Sequence, residues 1–124
     1  MNVEELREFC LSFEESEECL PFDDVSLVIK VLGKMVALIP LDNPELSISV
    51  KCDPEKAIEL RERYSCVEAA YHFNKKYWNS ILLNRDMSDE EVKNWIRHSV
   101  SEVVKKLPKK IRDTYPPVEP LSSN

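Results

Sequence analysis

The segment from residue 66 to residue 79 carries the densest set of side chains that could bind a ligand. It combines two adjacent lysines with rings and amides, namely His72, Asn74, Lys75, Lys76, Tyr77, Trp78 and Asn79. Ammonium groups bind phosphates, aromatic rings stack on bases, and amides form hydrogen bonds with base edges. The same pattern also fits a β-hairpin whose lysine tip is merely exposed. Residue types alone leave both interpretations open, and they favour a core position for Trp78.

Residues suited to other chemistries are few or unsuitably spaced. The four cysteines, Cys10, Cys19, Cys52 and Cys66, include no CxxC pair and no zinc-finger spacing to a histidine, so free thiols and no metal or cofactor are expected. A single glycine excludes Gly-rich phosphate loops, and no serine lies in a nucleophile elbow. The acidic pairs near the N-terminus and His98 on the last helix are expected to be solvated. The sequence therefore indicates no enzyme.

Charge is distributed unevenly along the 124 residues. Residues 1–24 carry nine acidic residues and one basic residue, whereas residues 67–113 carry ten basic and seven acidic residues. A net charge of −6 thus masks a mildly basic second half, and a phosphate responds to local charge. No apolar run approaches the roughly 20 residues that span a bilayer, and the acidic start MNVEELREF is unlike a signal peptide. A cytoplasmic protein without a membrane segment is expected.

The first half of the chain predicts one helix and three strands. Asn2 and Glu5 have the spacing of a capping box, which begins a helix over residues 3–13, and the acidic segment that follows is expected to be a loop. Two β-rich runs surround Gly33-Lys34, where a tight hairpin needs positive φ. In the third strand apolar residues alternate with polar ones, which predicts one solvent-facing side; the polar set is Ser47, Ser49 and Lys51.

The second half predicts a helix, two strands and a final helix. Asp53-Pro54 begins the first of these helices, whose apolar face comprises Ala57, Ile58, Leu60 and Tyr64. Strands are expected near 67–71 and 77–83. Ser88 begins the last helix, which Pro108 ends, and its residues predicted to be buried are Val92, Ile96, Val100, Val103 and Leu107.

These elements together predict an α+β fold in which helices cover one face of an antiparallel sheet. The predicted order is α-β-β-β-α-β-β-α. Residues 1–113 are expected to form one domain, and the Pro- and Ser-rich residues 114–124 a loose tail.

Three separated motifs resemble those of the MmcQ/YjbR family of small bacterial proteins. They are KCDPEKAIELRERY at 51–64, YHFNKKYWNS at 71–80 and KLPKK at 106–110, and the similarity covers about residues 2–112. The residues that match at and around the second motif are Lys51, His72, Asn74, Lys75, Lys76, Trp78 and Asn79. The sequence departs from the family at Ala69-Ala70, where Pro-Gly is usual, and at Phe73 and Tyr77.

The resemblance implies a CyaY-like, or frataxin-like, fold with two β-hairpin wings, and DNA binding. The wings would be the hairpin around Gly33-Lys34 and the hairpin around Asn74-Lys75-Lys76. The resulting set of DNA-contacting residues is Lys34, Lys51, His72, Asn74, Lys75, Lys76, Asn79, Lys109 and Lys110. Arg112 would be a further contact to the DNA backbone.

Two functions from different classes remain open at this point. The first is a monomeric, non-enzymatic DNA-binding protein whose weak, salt-sensitive and sequence-tolerant binding depends on Lys75 and Lys76. The alternative is a protein-interaction module, because frataxin-like folds also bind partners and the acidic N-terminal helix suits a basic partner. Neutralising the lysines would abolish the first activity, whereas neutralising Glu4, Glu8 and Glu15 would abolish the second.

Overall fold

A computed structural model describes residues 1–70 and 73–118, and within them it contains four helices and one six-stranded antiparallel sheet. The helices are α1 (Val3–Leu11), α2 (Pro54–Arg63), α3 (Asp89–Val104) and α4 (Lys109–Arg112). The strands are β1 (Ser16–Cys19), β2 (Ser26–Val31), β3 (Lys34–Pro40), β4 (Ser47–Lys51), β5 (Val67–Ala69) and β6 (Trp78–Leu82). They lie in the order β1-β2-β3-β4-β6-β5. The predicted α+β class is confirmed.

The three long helices begin at the caps that the sequence predicts. Asn2 accepts a hydrogen bond from the Glu5 N–H, and the Glu5 carboxylate accepts one from the Asn2 N–H. The Asp53 side chain accepts hydrogen bonds from N–H groups in the first turn of α2, and the Ser88 hydroxyl accepts one from the Glu91 N–H in α3. Side chains at these positions satisfy N–H groups that have no partner within the helix. None of the helices within the described residues is long and apolar enough to cross a membrane.

The hairpin between β2 and β3 turns at Leu32 and Gly33. Both residues have positive φ, 51° and 77°, which is the conformation of the type I′ turn favoured between twisted strands. Lys34 lies just after the turn, as the first residue of β3, and pairs with Val31. The predicted hairpin is confirmed, with its turn one residue earlier than expected.

The helices pack against one face of the sheet, and α3 covers its centre. The apolar side chains of this face are almost fully buried, including Ile29, Ala37, Ile48, Val50 and Ile81. The predicted stripe of α3 lies against them, with Val92, Ile96, Val100 and Val103 buried. Leu107 is an exception, because α3 ends at Val104 and Leu107 is only half-buried beyond it. The prediction for α2 is wrong at Ile58, which is 55% exposed.

The other face of the sheet carries no helix, yet its centre is not open to water. Ser47 and Ser49 of β4 are only 4% and 7% exposed, so the predicted solvent-facing side of this strand is wrong as regards its serines. The side chains of β4 do alternate between the two faces of the sheet. The loops beside β2 and β4, together with Ala70 and Phe73, surround the two serines and shield them from water. A local sequence pattern does not indicate such distant neighbours.

Residues 16–19 form an edge strand where the sequence predicts a loop. β1 pairs with β2 from Ser16↔Val31 to Cys19↔Val28. The segment has two glutamates, which are depleted in strands, but an edge strand leaves one side free for charged groups. Glu18 forms an ion pair with Arg7 of α1, and Glu17 is exposed. Tertiary pairing therefore outweighs the unfavourable propensity.

The C-terminal segment is packed as far as it is described. The Tyr115 hydroxyl donates a hydrogen bond of 2.8 Å to the Glu14 carbonyl, and Tyr115 and Val118 lie against the core. The segment expected to be a loose tail thus contacts the domain at Tyr115 and Val118, while Pro116 and Pro117 between them are exposed. Residues 119–124 lie outside the described part of the chain.

Candidate nucleic-acid interface

The topology brings lysines from distant parts of the sequence to one end of the sheet. Because β3 and β4 are antiparallel with Ala37 opposite Val50, the β2–β3 turn lies at the end where β4 finishes at Lys51. β6 begins at the same end, with Trp78 opposite Lys51. The two predicted wings therefore flank one end of the sheet.

Helices α3 and α4 add further lysines at this end. The Ser99 hydroxyl of α3 is bonded to β3 and β4 near their ends there, so the last residues of α3 project beyond it. Arg112 of α4 donates to the Lys105 carbonyl at 3.2 Å, which holds α4 beside α3. We call this region the basic end, and its lysines are Lys34, Lys51, Lys75, Lys76, Lys105, Lys106, Lys109 and Lys110.

Tyr77 lies at the centre of a lysine cluster in the basic end. The Lys106 ammonium lies 5.3 Å from the centre of the Tyr77 ring, and the Lys76 ammonium lies 5.6 Å from it. Both distances are typical of cation–π contacts. The Cys52 N–H donates to the Tyr77 carbonyl at 2.6 Å, which joins the end of β4 to this cluster. The segment after β4, the hairpin that carries Lys76 and the segment after α3 thus meet around the Tyr77 ring.

Lys51 experiences the positive charge of this cluster. Burial lowers the pKa of the Lys51 ammonium, and the nearby Lys106 and Lys105 lower it further, while Glu102 opposes them. Glu102 itself forms a 2.5 Å ion pair with Lys105. One carboxylate therefore faces several ammonium groups, and the local balance stays positive. A bound anion would stabilise the charged form of Lys51.

Two α3 side chains fix the backbone that carries Lys51. The Ser99 hydroxyl accepts a hydrogen bond from the Lys51 N–H at 2.9 Å and donates one to the Val36 carbonyl at 2.6 Å. His98 Nε2 accepts a hydrogen bond from the Asp53 N–H at 3.1 Å. His98 is buried, with 9% exposure, so its expected position on a solvated face is wrong. It lies at the corner between β4 and α2 instead.

The bond to Asp53 requires an unprotonated Nε2, and this makes stability depend on pH. Burial lowers the pKa of His98 below 6.5, Lys56 and Lys105 act in the same direction, and Glu102 and Asp53 oppose them. The unfolded chain therefore binds a proton more readily than the folded protein. We expect the free energy of unfolding to fall as pH drops from about 6.5.

Urea denaturation between pH 7.5 and pH 5 measures this effect. The matched control is His98→Gln, because glutamine can accept the Asp53 hydrogen bond and does not titrate. Wild type should lose more stability than this variant over the acidic part of the range. Parallel curves for the two proteins would contradict the assignment.

Residues 73–77, which we call the lysine wing, are held to α2 by Arg61 and Asn79. Arg61 donates through Nε to the Asn79 side-chain oxygen at 2.7 Å and through a terminal nitrogen to the Lys75 carbonyl at 2.5 Å. The Asn79 amide nitrogen donates to the Ala57 carbonyl at 3.2 Å. Asn79 is fully buried, so its prediction as a DNA contact is corrected: its side chain supports the wing from beneath.

The remaining predicted contacts within the described residues lie on or near the basic end. Lys34, Lys75, Lys76, Lys109 and Lys110 are exposed, and Lys51 is half-buried. Asn74 is exposed, and its side-chain oxygen accepts a hydrogen bond from the Lys76 N–H at 3.0 Å, which shapes the wing. His72 lies outside the described residues. Trp78 is 8% exposed and stacks on Phe73 with ring centres 4.7 Å apart, which confirms its core position.

Two important residues are absent from the sequence-based prediction. Lys106 is not among the predicted contacts, yet its ammonium group lies closer to the Tyr77 ring than that of Lys76 does. Arg61 lies on a helix with several exposed charges, and nothing in that pattern marks it as the support of a hairpin fourteen residues away. The KLPKK motif could have identified Lys106 as a candidate contact, whereas no sequence motif marks Arg61.

Comparison with known proteins identifies the family of the chain. The YjbR family model matches residues 11–100. The uncharacterized protein YjbR of Escherichia coli strain K12 is 27% identical over 112 residues, which cover 90% of this chain and 95% of that protein. The uncharacterized protein YbdF of Escherichia coli O157:H7 is 31% identical over 94 residues, which cover 76% and 77% of the two chains.

Solved structures agree with this result. The crystal structure of Deinococcus radiodurans protein DR2400, with family-model domain DUF419, gives a TM-score of 0.88 at 35% identity and covers 99% of this chain and 96% of that one. A Pseudomonas syringae protein with a TM-score of 0.69 and 23% identity, covering 80% and 96% of the chains, shares the fold. The resemblance found in the sequence motifs is thereby confirmed, and the chain belongs to the YjbR family.

Proposed function

We propose that this protein binds DNA without acting on it chemically, and that the basic end contacts the phosphate backbone. The observation that carries the proposal is the meeting of Lys76 and Lys106 at the Tyr77 ring, with Lys51 close enough to Lys106 for their charges to interact. Ammonium groups that lie close together repel one another, and a phosphate bound between them would attract each of them.

The spacing of the two wings supports contact with a duplex. The first wing joins β2 to β3 and the second lies between β5 and β6, so the centres of the two hairpins are three strand positions apart. With neighbouring strands about 4.8 Å apart, the wings are separated by roughly 14 Å. The major groove of B-DNA is about 12 Å wide. Lysines on the two wings are therefore spaced to reach phosphates on opposite sides of one groove.

The corrected role of Asn79 makes the proposed binding insensitive to sequence. Its amide is used inside the protein, and Asn74 also has a structural bond. The exposed groups that remain at the basic end are mostly ammonium groups, which position a protein on phosphates and do not read base edges. The acidic residues of α1 oppose binding only over short distances, because charges are screened over about 8 Å at physiological salt.

The expected result is weak binding with a steep dependence on salt. Roughly three to five lysine–phosphate contacts, at about 0.9 per released counterion, give a slope of about −3 to −4 for log affinity against log salt. The double variant Lys76→Ala/Lys106→Ala should reduce the magnitude of this slope by about 2 and weaken binding to all duplexes alike. Fluorescence anisotropy with duplexes of unrelated sequence, from low to physiological salt, measures both quantities.

The matched control removes two positive charges from the opposite end of the sheet. Arg63 and Arg85 are exposed there, next to the end of α2 and after β6, so Arg63→Ala/Arg85→Ala changes the net charge by the same amount. This control should keep the wild-type slope. Absence of wild-type binding at low salt, or an equal loss in both double variants, would overturn the proposal.

A further inference from the structure

The helix-free face of the sheet contains a cavity of about 740 Å³ that reaches the lysine wing at Phe73. Its floor is formed by β3, β4 and β6, and its walls are formed by the loops beside β2 and β4 together with Ala70 and Phe73. This volume is in the range of small-molecule sites. The walls of the cavity also explain why Ser47 and Ser49 are buried on a face of the sheet that carries no helix.

The floor of the cavity presents hydroxyl groups. Ser49 and Ser80 face each other with hydroxyl oxygens 3.5 Å apart, which is a weak contact. Ser47 is 4% exposed, and its hydroxyl has no hydrogen-bond partner among residues 1–70 and 73–118. The Ser47 side chain lines the cavity, so a polar ligand there could form a hydrogen bond with this hydroxyl in place of water.

The charges around the cavity are all negative within the described residues. Asp23, Asp42 and Glu68 line it, and no lysine, arginine or histidine in that part of the chain does so. Asp23 accepts hydrogen bonds from the backbone of Val25 and Ser26, and these lower the pKa of its carboxyl group, so it stays ionised. Phe22 and Phe73 add aromatic rings to the walls. Carboxylates and aromatic rings are the groups that bind organic cations.

The carboxylates lie on opposite sides of the cavity. Glu68 is on β5, whereas Asp42 follows β3 and Asp23 precedes β2, and these strands lie three and four positions from β5. At about 4.8 Å per strand, the two sides are roughly 14–19 Å apart. A compact monovalent cation could contact only one side. A ligand with ammonium groups spaced along an alkyl chain could contact both.

An extended peptide fits this floor less well than a small molecule does. β3, β4 and β6 are each hydrogen-bonded to neighbours on both sides, so their backbone cannot pair with an added strand. Recognition must depend on side chains, and those present are hydroxyls, carboxylates and aromatic rings.

We propose that this cavity is a binding site for an aliphatic polyamine, with terminal ammonium groups on the Asp23/Asp42 and Glu68 sides and the Ser47 hydroxyl bonded to the ligand. The site shares Phe73 with the lysine wing, but its charged groups are carboxylates, opposite in sign to the lysines proposed to contact DNA.

Isothermal titration calorimetry with spermidine, at constant ionic strength, tests the site. Saturable binding with one ligand per chain is expected, and 1,8-octanediol, a neutral chain of similar length, should bind at least tenfold more weakly. Asp42→Asn/Glu68→Gln should weaken spermidine binding roughly tenfold. The matched control is Glu59→Gln/Glu62→Gln on α2, which removes two exposed carboxylates from the helical side and should retain wild-type affinity.

Ser47→Ala separates binding from folding. Because the hydroxyl has no partner among the described residues, its removal should leave the melting temperature unchanged while weakening spermidine binding at least twofold. Equal weakening by the two acidic double variants would show attraction to net charge alone and overturn the proposal. Equal affinity for spermidine and 1,8-octanediol would also overturn the proposal. So would wild-type affinity for spermidine in both Asp42→Asn/Glu68→Gln and Ser47→Ala.

Discussion

Replacing Val100 with aspartate should remove most of the folding stability of the protein. Val100 is fully buried in the second half of α3, against the face of the sheet that forms the core. A carboxylate there would have no cationic partner and would lose its hydration, at a cost of several kcal/mol. The total stability of a domain is about 5–15 kcal/mol, so Val100→Asp should be largely unfolded or close to its midpoint without denaturant.

Circular dichroism during urea denaturation measures this loss. The matched control is Ser101→Asp, which places the same carboxylate one residue further along α3, where the side chain is exposed. Substitutions at exposed positions usually change stability by less than about 0.5 kcal/mol. If both variants had the same unfolding midpoint, α3 would not be the central core helix.

The second large effect is expected at Asn79. Asn79→Ala would leave Arg61 Nε without its partner and remove the hydrogen bond to the Ala57 carbonyl. An unsatisfied buried group costs about 1–3 kcal/mol, and a lost hydrogen bond about 0.5–1.5 kcal/mol. We expect a loss of about 2–4 kcal/mol in the free energy of unfolding. Asn74→Ala, at an exposed position of the lysine wing, should cost clearly less.

A double-mutant cycle with Arg61→Ala tests the proposed cause. Since Arg61 and Asn79 act on the same hydrogen bond, the loss in the double variant should be smaller than the sum of the two single losses. Strict additivity would show that Asn79 stabilises the fold by other contacts. A stability within 0.5 kcal/mol of wild type for Asn79→Ala would contradict its buried structural role.

Local signals in this sequence are reliable because they act within a few residues. Asn2, Asp53 and Ser88 each cap a helix through a hydrogen bond to an N–H at most three residues away. Gly33 supplies positive φ in a turn of two residues. Helix starts, the first hairpin and the apolar stripe of α3 could therefore be predicted before any tertiary structure was known.

The errors concern residues whose environment is built by distant segments. β1 is a strand because β2 pairs with it, not because SEEC favours extended structure. Asn79 carries an amide that suits base recognition, but α2 covers it and uses both of its polar atoms. His98 is polar and lies on a helix, yet the corner after β4 folds over it. In each case the residue type was compatible with two environments, and only tertiary packing distinguished them.

The same reasoning applies to the candidate site. Basic residues in the second half of the chain could be recognised by type, but their meeting around Tyr77 depends on strand order and on where α3 ends. The cavity on the helix-free face could not be predicted, because its carboxylates come from segments 45 residues apart in the sequence, at Asp23 and Glu68.

The two outer strands of the sheet affect how separate molecules meet. β1 and β5 are only four and three residues long and carry Glu17, Glu18 and Glu68. Exposed strand edges can join between molecules and lead to aggregation, and short, charged edges oppose it. At neutral pH two such edges repel each other, so concentrated protein should stay dispersed.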